Sequence, residues 1–93
     1  MNKTYDSLAQ VLKEALLQAA EGKGRERHAV GDTPFEEQPI CFISRQVGIG
    51  FALGQAIKKA IESQRLDTEA AVRELLGAIN YLAAAVIIRR ENG

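Results

Sequence analysis

The sequence predicts an all-α protein: a small helical bundle with an N-terminal helix, a long loop and a long antiparallel helical hairpin, assembled as an oligomer. Three observations predict it. Apolar residues near the N-terminus recur at three- and four-residue spacing, the mark of a helix with one buried face. The segment Leu75-Leu76-Gly77-Ala78-Ile79-Asn80-Tyr81-Leu82-Ala83-Ala84-Ala85-Val86-Ile87-Ile88 is apolar on nearly every side, and a helix of that kind must be covered all round. The chain has only 93 residues, so it forms one domain over 1–93 with a thin core, for which oligomerisation is a common remedy.

The first helix is expected from about Tyr5 to Glu21. Leu8, Val11, Leu12, Ala15, Leu16 and Ala19 form its apolar face, with Lys13, Glu14, Gln18 and Glu21 mostly opposite. Thr4 or Asp6 suits its N-cap, and Gly22 and Gly24 suit its end. Residues 22–38 show no sustained period and read as a long loop, pinned by Val30 and Phe35. Within it, Thr33-Pro34-Phe35-Glu36 can open a helical turn, with Thr33 as cap and Pro34 at the first position.

The second helix is expected from Pro39, a favourable first residue, to about Gln64. Each interior glycine costs roughly 1 kcal/mol against alanine, and Gly48, Gly50 and Gly54 lie in its middle. The reading preferred is a continuous or merely kinked helix rather than two helices divided at Gly48–Gly50. Gly50 and Gly54 share a face, as do Ala52, Ala56 and Ala60, and small residues four apart let a second helix approach closely. Asp67 or Thr68 then caps the third helix, Glu69 suits its first turn and Arg89-Arg90 its last, through the helix dipole. Two helices of roughly 24 residues would each span about 36 Å. A compact domain of this length has a radius of gyration near 13 Å, so such helices outrun a globular monomer.

Composition narrows the functional classes. Twelve Lys and Arg balance twelve Asp and Glu, so no global charge draws the chain to nucleic acid or an anionic membrane. Aromatics are few and Trp is absent, which disfavours a stacking platform for single strands. No basic recognition helix stands out for duplex DNA. Met1–Asp6 lacks a signal-peptide pattern. The apolar segment 75–88 falls short of the roughly 20 residues of a membrane span and is bounded by Glu74 and Arg89-Arg90-Glu91. It reads as the core helix of a cytoplasmic protein. The single cysteine, Cys41, lies in the apolar run Ile40-Cys41-Phe42-Ile43 and reads as a small buried hydrophobe; its only possible histidine partner for nucleophilic work is His28.

The candidate ligand-binding residues are Arg25, Arg27 and His28 in the loop, joined by Arg45, Glu74 and Asn80, with Lys58-Lys59 nearby if the loop folds over the second helix. Such a group suits phosphate or carboxylate; the simpler alternative is a solvated loop in which Glu26 neutralises its neighbours. Asn80, an amide inside an apolar helix, either binds ligand or bonds across a helix pair and fixes register. Tyr81 divides the same way. Gln55, Lys58 and Glu62 read as an exposed polar stripe. Helical metal sites need facing carboxylates at three- or four-residue spacing. Glu36, Glu37, Glu62, Glu69 and Glu74 do not supply them, so no metal, cofactor or catalytic residue is assigned.

The run Arg27-His28-Ala29-Val30-Gly31-Asp32, then Phe35, a long helix, and Glu74-Leu75-Leu76-Gly77-Ala78-Ile79-Asn80-Tyr81-Leu82-Ala83 resembles the MazG-like nucleoside triphosphate pyrophosphohydrolases and a related phage-associated nucleotide-modification domain. The resemblance covers the last two thirds of the chain. It implies a helical oligomer and a phage or mobile-element origin. That family places a magnesium-binding Glu and Asp three apart on this helix. Here Glu74 matches the first, while the second position is Gly77. The family's earlier Glu-x-x-Glu pair has no counterpart in Arg45-Gln46-Val47-Gly48-Ile49-Gly50.

Two functions are therefore expected in order. The first is a non-enzymatic interaction or scaffold protein whose partner is itself, as a homodimer or higher homo-oligomer. Its interface residues are expected to be Gly50, Gly54, Ala56, Ile79, Leu82, Val86 and Ile87. The second is a divergent nucleotide- or phosphate-binding protein.

Overall fold

The computed structural model describes residues 3–21 and 33–93. Among these residues the chain forms four α-helices and no strand. A 3₁₀ turn, Lys3–Tyr5, leads into α1 (Asp6–Glu21). A second 3₁₀ turn, Phe35–Glu37, precedes α2 (Pro39–Val47), α3 (Gly50–Ser63) and α4 (Thr68–Glu91). The turn at Phe35–Glu37 follows Pro34, whose carbonyl accepts the Glu37 N–H at 2.9 Å. Pro39 stands in the first turn of α2, where its missing N–H costs nothing.

The continuous helix expected over 39–64 is in fact two helices. Gly48 adopts φ 93°, a region that glycine enters without a β-carbon penalty. Its N–H closes α2 on the Ser44 carbonyl at 2.8 Å, and its own carbonyl receives the Phe51 N–H at 3.3 Å as α3 begins. The break turns Ile49 onto the small core formed by Cys41, Ala84 and Ile88, where Phe35 and Ile40 also pack.

The hairpin of α3 and α4 is antiparallel, as expected. Early residues of α3 meet late residues of α4, and late ones meet early ones: Phe51 packs on Tyr81, while Lys59 pairs with Glu74. The turn between the helices is short because α3 ends in tight i→i+3 bonds, from the Gln64, Arg65 and Leu66 N–H groups to the Ile61, Glu62 and Ser63 carbonyls. Asp67 then caps α4, its carboxylate accepting the Ala70 N–H at 2.9 Å.

The core is built from small residues. Among the described residues nine apolar residues are buried, and six of them are alanines: Ala15, Ala52, Ala56, Ala78, Ala84 and Ala85. Alanine brings helix backbones close but buries little area, so this core contributes little hydrophobic free energy per residue. Leu76 and Ile88 join the alanines, but most large apolar side chains lie outside: among the described residues seventeen are exposed, including Leu8, Leu12 and Leu16 on α1, Leu53, Ile57 and Ile61 on α3, and Val72, Leu75, Leu82 and Val86 on α4. α1 accordingly rests on α4 through Ala15, not through its leucines. Polar clamps hold it there: the Asn80 amide donates to the Ala15 carbonyl at 3.0 Å, and the Gln18 amide donates to the Arg73 carbonyl at 3.1 Å.

Candidate functional site

The two sides of the α3–α4 hairpin differ in chemistry. One side is polar and aromatic. Lys59 Nζ donates to Glu74 Oε2 at 3.1 Å and lies 5.9 Å from the centre of the Tyr81 ring, within cation–π range. Phe51 meets the same ring edge-on, with centroids 5.9 Å apart and planes at 75°, the arrangement favoured by ring quadrupoles. Gly77 makes the group possible. A β-carbon there would stand 3.2 Å from Lys59 Cδ and 3.3 Å from its Cε, so the lysine stem lies across the bare backbone of α4. Both charged side chains are partly exposed, which limits the worth of the pair to at most about 1 kcal/mol.

The other side is apolar. Gly50, Leu53, Gly54, Ile57 and Ile61 are exposed along α3, and Val72, Leu75, Leu82, Ala83 and Val86 along α4. The two rows meet in a shallow groove of about 580 Å³. Ile49, Leu53, Leu82, Ala85 and Val86 line it, and Arg89, Arg90 and Gly93 stand at its end. α4 is long and apolar enough to cross a membrane by length and composition, with a mean hydropathy of 1.6 over its best window, of which 33% is buried inside the fold.

Of the expected ligand residues, the three that the structure describes, Arg45, Glu74 and Asn80, each have a partner elsewhere in the chain. Arg25, Arg27 and His28 lie outside the described residues. Arg45, at the far end of the hairpin from Glu74, grips Glu91 with two bonds: Nε to Oε1 at 2.8 Å and Nη2 to Oε2 at 2.7 Å. The bidentate contact holds the Glu91 carboxyl below its usual range and raises the Arg45 guanidinium further. Glu74 and Glu91 are 17 positions apart on one helix (91 − 74 = 17), so their ends of the bundle are separated by about 25 Å. Glu74 is engaged by Lys59, and Asn80 spends its amide on the α1 backbone. That bond makes Asn80 a fastener between helices within the chain. Tyr81 joins the aromatic side of the hairpin.

Cys41 is fully buried. Burial pushes its thiol up, outweighing the opposite pull of Arg45, so it is a packing residue and a poor nucleophile. Among the described residues no three of His, Cys, Asp and Glu converge on a point where a metal would sit.

Of the expected interface residues, Gly50, Gly54, Leu82 and Val86 are exposed, while Ile79 and Ile87 are half-buried. Ala56 is buried within the chain; with Ala52 and Ser63 it forms the inward face of α3. Leu53, Ile57, Ile61, Val72 and Leu75 are also exposed, beyond the expected set. Their signal was present: Val72, Leu75, Ile79, Leu82 and Val86 follow the alternating three- and four-residue step of a coiled-coil seam. Comparison of the chain with protein-family models, characterised proteins and solved structures yields no match.

Proposed function

We propose that this is a non-enzymatic interaction or scaffold protein of the cytoplasm, with a homo-oligomer as its working unit. One observation carries the reading: the buried core is mostly alanine, while most large apolar residues among those described are exposed. Soluble monomers rarely leave large apolar patches uncovered, and such patches mark association surfaces. The polar side of the hairpin adds to this reading, since Lys59, Glu74 and Tyr81 are engaged with one another.

Light scattering coupled to size exclusion tests the proposal. A dimer or larger species at micromolar concentration is expected; a stable monomer there would remove its main support. The phage or mobile-element origin suggested by the MazG-like resemblance belongs to the same proposal. A divergent nucleotide-binding role is the competing one. It would draw on Arg25, Arg27, His28 and Glu74, and calorimetric titration with magnesium and nucleoside triphosphates would give measurable heat if it held.

A further inference from the structure

We infer that the uncovered side of the hairpin receives a second copy of this chain, with the two α4 helices running antiparallel about a twofold axis at Ile79. The inference rests on the oligomeric reading above and goes further, naming the surface, the partner and the direction.

Three observations support it. The first is the pattern of α4. Val72, Leu75, Ile79, Leu82 and Val86 step by three and four residues along one side, with β-branched residues alternating with leucine. A seam of that kind packs knobs into holes against another helix, and all but the half-buried Ile79 stand exposed. Exposed Ala83 flanks the seam without bulk, and the exposed row of α3 continues the surface across the groove.

The second is symmetry. A twofold contact uses the same patch on both partners. Ile79 is the midpoint of the seam, so an antiparallel pair centred there sets Val72 of each copy level with Val86 of the other (72 + 86 = 79 + 79).

The third is charge. Arg89 and Arg90 stand exposed at the end of the seam, while Glu91 beside them is already held by Arg45. At the opposite end of α4 lie Asp67 and Glu69, both exposed. The same centre sets Glu69 level with Arg89 of the second copy (69 + 89 = 158, as 79 + 79). A parallel pair would instead bring all four arginines to one end. Complementary ends steer association and select orientation, and opposed helix dipoles favour the same choice.

Cysteine cross-linking in the full chain tests this, with buried Cys41 left in place and the wild type as control. Ile79→Cys is expected to form a covalent dimer rapidly on mild oxidation. Val72→Cys alone should cross-link at the wild-type level, because its copies would lie about 21 Å apart along the helix. A mixture of Val72→Cys and Val86→Cys should cross-link only between the two variants. Leu82→Glu should convert the wild-type species to a folded monomer by light scattering, with its helical circular dichroism retained.

Other outcomes overturn the inference. Self-cross-linking of Val72→Cys and Val86→Cys to the extent of Ile79→Cys would mean a parallel pair. A dimer that ignores both the Ile79 cysteine and Leu82→Glu would keep the oligomeric reading and place the contact elsewhere, such as the exposed leucines of α1. A wild-type monomer would sink both. A wild-type chain that sediments with phosphatidylcholine vesicles and does not self-associate would give the apolar side to lipid.

Discussion

The two sides of the α3–α4 hairpin use the same pair of helices for opposite ends. On one side, Lys59 pairs with Glu74 and packs with Tyr81 and Phe51 across a glycine. On the other, leucines, isoleucines and valines keep two fifths or more of their surface in water, or close to it. Polar groups demand partners with defined geometry, and Lys59 and Glu74 find theirs as soon as the hairpin closes. Apolar groups demand only removal from water, which a second molecule supplies as well as the chain itself. The helices close on each other through alanine because the larger residues are reserved for the outside.

This contrast can be broken by substitution, and the largest effect belongs to the outer side. Leu82→Ala should cost about 2–5 kcal/mol where the apolar side is covered, and under about 0.5 kcal/mol where it faces water. Urea unfolding of wild type and variant over a hundredfold range of protein concentration separates these cases. The expected result is a difference that shrinks on dilution.

In the core between α2 and α4 the effect has another origin. Ala84 is fully buried against Cys41 and Ile88, and Ala84→Leu should destabilise by about 1–3 kcal/mol through overpacking. That cost should be independent of concentration, which distinguishes core from interface. Asn80→Ala comes next. It removes the bond to the Ala15 carbonyl, worth about 1 kcal/mol. Amide hydrogen exchange should show α1 opening more often while α3 and α4 keep their protection.

On the polar side the balance is finer. Gly77→Ala gains roughly 1 kcal/mol of helix propensity but presses a methyl group on the Lys59 stem. Lys59 is long and partly exposed, so it can move aside and weaken its pair with Glu74, worth at most about 1 kcal/mol. A small net rise in melting temperature is expected; a fall would mean that Lys59 is held more firmly than one ion pair allows.

The smallest effect should come from Arg45→Ala. Glu91 is held below its usual range by Arg45, so its folded value lies below its unfolded one. The stability it contributes is therefore present above the ordinary carboxylate range and lost as pH falls through the folded value. Melting curves of wild type and variant should differ slightly at neutral pH and coincide in strong acid. A difference that persists in acid would assign the effect to lost packing of the arginine stem.

Much of the fold was legible because helices announce themselves locally. The span of α1 followed from its apolar repeat, and α4 from the Asp67 cap, the unbroken apolar run and the terminal arginines. The break at Gly48 was not legible. A glycine in a helical pattern is compatible with a kink, a close approach or a stop, and φ there is decided by whether Ile49 finds a core to enter. The partners of Arg45, Glu74 and Asn80 were not legible for a related reason. Arg45, Glu74 and Asn80 are polar residues near apolar helices, which is equally the description of three fasteners, and only their partners distinguish the two.

The sequence by itself determined that the chain is helical and that it carries more large apolar residues than one small core can hold. Periodicity and composition are local properties, and they survive whatever the helices pack against. Only the tertiary structure decided which apolar residues are left over. Packing admits the residues whose shape lets two backbones approach, and here that selected alanine for the inside and turned Leu53, Ile57, Leu75, Leu82 and Val86 toward the outside.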